Sequence, residues 1–104
     1  MGLFSRTRTD VHQKSGFEIT SVDISHDSIR QNNGTYWYSD FATVYFRNTN
    51  SYSIEVVLAV KLTDGSSFRT QKMIIDPYES DHEGWRSPAN KTIKGVDIYS
   101  VERV

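Results

Sequence analysis

Cysteine is absent and proline occurs only twice in the 104 residues. Without cysteine there is no disulfide, no thiolate zinc site and no cysteine nucleophile. That suits a reducing compartment. No apolar run approaches the roughly 20 residues of a membrane-spanning helix. The opening "MGLFSRTRTD" lacks the apolar core of a signal peptide. A cytoplasmic location is therefore the default expectation, and an exported one applies if a leader has been removed. Gly2 after Met1 resembles a myristoylation start, but Arg6 stands where that pattern asks for Ser or Thr. An excess of charge is also missing: 12 Lys and Arg against 13 Asp and Glu give a net charge of −1. Phosphate-mediated binding needs a basic excess on one face. Arg6 and Arg8 are too thin a cluster for that, so neither nucleic acid nor a membrane is expected as a partner.

What is present is an ordinary globular composition, 37% hydrophobic and 24% charged, at a length that fits one small domain. Residues 1–16 are polar apart from Leu3, Phe4 and Val11 and are expected to form a loose arm. Residues 17–104 are expected to form a single domain. From Phe17 on, the apolar residues recur every second position, which is the period of a strand. "FEITSVDI" changes phase near Thr20 and Ser21, as a β-bulge would make it. "HDSIRQNNG" is expected as a polar loop closed by Asn33-Gly34. "TYWYSDFATVYFRN" is a long strand. "SIEVVLAVKLT" is the clearest one, with Ile54, Val56, Leu58, Val60 and Leu62 on its core face. "FRTQKMII" and "IKGVDIYSVERV" complete the set, the last bulged at Gly95. "DHEGWRSPANKT" is expected as a loop. Five or six strands separated by Gly, Asn, Asp and Pro predict an all-β fold, an antiparallel sandwich with a small barrel as the alternative.

The segment "VYFRNTNSYSIEVVLAVKLTDGSSFRTQKMIIDPYES", Val44 to Ser80, resembles the middle of short bacterial immunoglobulin-like modules of the FxLYD type. Both run strand, Asn-rich turn, alternating strand, Asp-Gly turn, strand, and a turn containing Pro. The FxLYD signature itself is missing, since "VKLTDG" stands in its place. The resemblance implies an immunoglobulin-like β-sandwich with a binding or structural role, and it carries over no site residues.

The stretch "NGTYWYSDF" packs four aromatics into six residues, Tyr36 to Phe41. Alternation along this strand, with Thr49–Ser51 read as a hairpin loop to the next, pairs Phe46 with Ile54 and Val44 with Val56. Ala42, Val44 and Phe46 then point inward. Trp37, Phe41 and Tyr45 point outward and join Val57 and Ala59 in an apolar patch. Trp37, Phe41, Tyr45 and Val57 are the candidate binding residues. Three readings compete. In the first, Asp40 marks a bulge that returns Trp37 to the core, because a carboxylate facing the core is costly. In the second, the patch binds a protein partner or a second copy of the chain, as a homodimer. In the third, Trp37, Tyr38 and Phe41 form a carbohydrate platform.

Catalytic grammar is scarce. There is no phosphate loop, no nucleophile elbow and no glycine-rich dinucleotide turn. His12, His26 and His82 have no metal-ligand spacing. Asp81, His82 and Glu83 are adjacent, and neighbours on a strand or loop point apart. Asp23, Asp27 and Asp64 would need their loops to converge to hold calcium. No cofactor is expected, and the expected function is a non-catalytic interaction module.

Overall fold

The computed structural model describes residues 2–8 and 12–104, with side chains from residue 12 onward. Among the described residues there are nine strands: β1 (Gly2–Arg8), β2 (His12–Lys14), β3 (Phe17–Arg30), β4 (Tyr36–Asn48), β5 (Ile54–Leu62), β6 (Ser67–Arg69), β7 (Met73–Ile75), β8 (Ser80–Arg86) and β9 (Ile93–Arg103). They make two antiparallel sheets packed face to face, a β-sandwich. In the first sheet, β1 and β2 share one edge of β3, followed by β4 and then β8. In the second, β5 is central, with β9 along one edge and the short β6 and β7 along the other.

The N-terminal segment departs from the loose arm expected over 1–16. Gly2–Arg8 and His12–Lys14 lie antiparallel to β3, while residues 1 and 9–11 fall outside the described residues. The cause is the two-residue turn Ser15-Gly16, whose φ values of 50° and 80° close a tight hairpin between Lys14 and Phe17. Gly16 is required there twice over: its φ is positive, and a Cβ would come within 2.4 Å of the Asn50 side chain.

The core forms between the sheets. Ile54, Val56, Leu58, Val60 and Leu62 are all at most 4% exposed, so the stripe read along β5 is the floor of the core. The facing layer is Phe17, Ile19, Val22 and Ile24 from β3, with Ala42, Val44 and Phe46 from β4. The bulge expected near Thr20 is present: Ile19 pairs with Phe46 and Ser21 with Tyr45, leaving Thr20 unpaired between them. That single extra residue puts both halves of the β3 apolar set on one face. The β9 ladder shifts register beside Gly95, between its Gly95 and Ile93 pairings, and again at Tyr99.

The first parts of two expected loops are strands, while residues 31–34 and 87–92 stay outside the named strands. His26–Arg30 continues β3, and Ser80–Arg86 is β8. "FRTQKMII" is instead divided, since Thr70–Lys72 leaves the ladder between β6 and β7. The hairpin expected between β4 and β5 does not form. The chain crosses there from the first sheet to the second, so Phe46 and Ile54 belong to one core from opposite sheets and are not ladder partners. Buried Asn48 enforces the crossing. Its Nδ2 donates to the carbonyls of Tyr52 (2.9 Å) and Asp76 (3.0 Å), and its Oδ1 accepts the Asn50 N–H at 2.9 Å.

Candidate functional site

Alternation along β4 runs unbroken from Tyr45 to Tyr36, paired with Ser21 to Arg30 on β3. No bulge occurs at Asp40, which lies 1% exposed on the core side. Its cost is met by partners. One carboxylate oxygen accepts the Ile93 N–H at 2.7 Å, and the other meets Nδ1 of His26, its cross-strand neighbour. Its own N–H donates to Ser87 Oγ at 2.8 Å, and its carbonyl accepts the Ser87 N–H at 2.8 Å. Ser87 Oγ donates in turn to Lys91 O at 2.7 Å. A carboxylate holding an imidazole is half of a general-base arrangement. Here the carboxylate is occupied by a backbone amide from the opposite sheet, so the pair acts as a tie between sheets.

The tie fixes Trp37, Phe41 and Tyr45 on the outer face of the first sheet. Val57 is on the outer face of the second sheet, opposite Ser100, and so is Ala59. The expected four-residue patch is therefore split between two faces of the molecule. The reason is the missing β4–β5 hairpin: facing sheets share a core but have opposite outer surfaces. Phe41 is half-buried. Its ring lies over Gly84, where a Cβ would come within 2.3 Å of Cζ, and the Arg86 guanidinium is 5.4 Å from the ring centroid. Tyr45 packs its ring 5.3 Å from that of His82. Ion pairs lace the same face, with Arg47 to Glu18 at 2.8 Å and Arg86 to Asp27 at 3.1 Å. The outer face is thus a polar surface with two seated aromatics.

Two exposed aromatics, Tyr36 and Tyr38, are at the far end of the β3–β4 pair. β1 reaches only to Asp27, and β8 only to Phe41. Among the described residues, no third strand joins Ile29–Arg30 on one side or Tyr36–Tyr38 on the other. This ribbon is closed by a turn in which Gln31 N–H donates to Thr35 O at 2.7 Å and Thr35 N–H to Asn33 Oδ1 at 3.0 Å. Its base is clamped by Asn90, whose N–H donates to Tyr38 O at 2.7 Å and whose Oδ1 accepts the Tyr38 N–H at 3.2 Å. Tyr36 is 64% exposed and Tyr38 50%, both on the side continuous with the core face. Trp37 is on the other side, opposite Ile29. Trp37 and Phe41 therefore do not share a surface with Tyr38, which breaks up the carbohydrate platform those three were to form.

The adjacent Asp81, His82 and Glu83 are separated by strand alternation, His82 on the outer face and the two acids on the inner. Asp27 is held by Arg86, and Asp64 by Lys91. Among the described residues, no three His, Cys, Asp or Glu side chains gather around a metal position. Sequence reading missed His26 as the partner of Asp40. The available signal was phase, since His26 falls two residues after Ile24, as Asp40 falls two before Ala42. No family model matches the chain, and no curated protein or solved structure is similar enough to match it.

Proposed function

We propose that the chain is a non-catalytic β-sandwich interaction module that engages a protein partner through the aromatic ribbon at the end of β3 and β4. The observation that carries this is Tyr36-Trp37-Tyr38 standing on a two-stranded segment outside the sandwich core. A two-stranded ribbon is marginal by itself. Aromatics on it gain little from this domain and much from being covered, and aromatic residues dominate interface energetics. The outer face with Phe41 and Tyr45 continues the surface on the Trp37 side. The immunoglobulin-like relationship rests on the resemblance over Val44–Ser80.

A photoreactive phenylalanine analogue at Tyr38, in cells that make the protein, tests the reading. It should give one discrete protein adduct, or a species of twice the chain mass if the partner is a second copy. The control is the same probe at Tyr78, an exposed turn residue (67%) outside the ribbon. Identical adducts from both positions, or none from Tyr38, would overturn the assignment.

A further inference from the structure

The flank of the sandwich between β8 and the β6–β7 edge carries a second surface, independent of the ribbon. β8 is the last strand of the first sheet and, among the described residues, pairs only with β4. A groove separates it from β6 and β7. It consists of a hollow of about 510 Å³ around Met73, Glu83 and Trp85 and one of about 250 Å³ around Met73, Asp81 and Glu83.

The backbone of β8 is set up to receive another strand. At its two ends, Ser87 N–H donates to Asp40 O at 2.8 Å and Asn48 N–H to Glu79 O at 2.9 Å. Residues opposite each other in an antiparallel pair alternate between bonded and non-bonded. The odd-numbered residues of β8 therefore direct their amides to β4. Gly84 and Arg86 direct theirs to the open edge, as does His82, whose N–H is held by the neighbouring Asp81 Oδ1 at 2.8 Å and must exchange that partner for an incoming strand. β6 and β7 offer no comparable edge, since each is three residues long and Thr70–Lys72 interrupts them.

The side chains select the occupant. Asp81, Glu83 and Trp85 are on the inner face of β8, opposite Phe46, Val44 and Ala42. Both acids are exposed and Trp85 is half-buried against the core. The basic residues across the groove, Arg69 and Lys72, line the larger hollow, and each has a partner on the second sheet. The Arg69 guanidinium is over the Tyr99 ring at 3.8 Å, and Lys72 Nζ is 3.9 Å from Glu55. The groove beside β8 is left acidic at one end and aromatic at the other. A second copy of β8 would set these acids against each other, which is how inward charges on an edge strand block self-pairing. A strand carrying opposite charge meets no such barrier.

We propose that the free edge of β8 binds an extended segment of a partner protein by strand addition, with basic side chains beside Asp81 and Glu83 and an apolar one beside Trp85. Backbone bonds supply the pairing, and alternate side chains supply the choice of partner.

The test is an amide-resolved NMR titration of the full chain with two blocked heptapeptides. One alternates threonine with lysine, lysine and leucine, and the other has glutamate in place of lysine. The lysine peptide should shift the amides of His82, Gly84 and Arg86 and slow their hydrogen exchange, and the glutamate peptide should not. The exposed-site double variant Asp81→Lys/Glu83→Lys, its fold checked by spectral dispersion, should bind the lysine peptide about tenfold more weakly. It should also accept the glutamate peptide. Equal responses to both peptides would overturn the proposal. So would lysine-peptide binding that leaves those three amides unchanged, or no binding at all.

Discussion

Asp40 on β4 accepts the backbone N–H of Ile93 on β9 at 2.7 Å, so one buried carboxylate joins the two sheets at the end of the core. Asp40→Ala leaves that amide without its acceptor and removes the partner of His26. Leaving a buried donor unpaired costs about 1–3 kcal/mol, and more where a charged group is involved. Asp40→Ala should therefore lose about 2–4 kcal/mol in urea unfolding. Asp40→Asn keeps an oxygen for Ile93 and should lose less. Equal losses in the two variants would mean that the Ile93 bond contributes nothing.

Phe41 and Gly84 should be energetically coupled, because the ring occupies the space a Cβ at position 84 would need. Gly84→Ala alone forces the ring aside and should cost about 1–2 kcal/mol. In a Phe41→Ala background the same change should cost nothing. The double-mutant cycle should return a coupling of about 1 kcal/mol or more. Additive effects would show that the ring moves away freely.

The parts of this fold readable in sequence are those where burial on one side produces alternation. The β5 stripe and the Thr20 bulge are of this kind. A β4–β5 hairpin would turn Ala42, Val44 and Phe46 inward, and the crossing found in its place does the same, because a facing sheet demands the same side as a paired strand. The crossing at Asn48 was not readable, since an Asn-rich turn has the same composition whether the chain reverses within a sheet or passes to the other. β8 looked like a loop because Asp81 and Glu83 occupy its inner positions beside an open groove. The candidate patch failed with the hairpin: Val57 was joined to Phe41 by a pairing that the crossing removes.

Acid should weaken the link between Asp64 and the loop after β8. The Lys91 ammonium, followed by the Ser66 hydroxyl and amide, holds the Asp64 carboxyl well below the usual carboxylate range. A carboxyl lowered on folding adds stability that is complete above its unfolded pKa, near pH ~4. That stability is lost as pH falls from there towards the folded value. Carbon-detected NMR titration should show the Asp64 carboxyl moving up towards the ordinary range in Lys91→Met. An unmoved midpoint would show that Lys91 is not its main partner.

Asn48 should be intolerant of charge and tolerant of acid once charged. Its side chain is 0% exposed, with Nδ2 facing the carbonyls of Tyr52, Ile75 and Asp76. Asn48→Ala removes the donor and leaves the Asn50 N–H without Oδ1, a loss of about 2–3 kcal/mol that should not depend on pH. Asn48→Asp keeps the shape but points a carboxylate at those carbonyls, and at pH 7 it should cost more, about 3–5 kcal/mol. Burial and the carbonyls raise the pKa of the introduced carboxyl in the folded state. The folded form then binds a proton that the unfolded form has released. Stability of this variant should therefore rise as pH falls through the folded pKa, and the recovery should be complete below the unfolded value near pH ~4. Urea unfolding of both variants between neutral and acid pH, each referred to wild type at the same pH, makes the comparison. If Asn48→Asp shows the same pH-independent loss as Asn48→Ala, the carbonyl cage does not govern the crossing from the first sheet to the second.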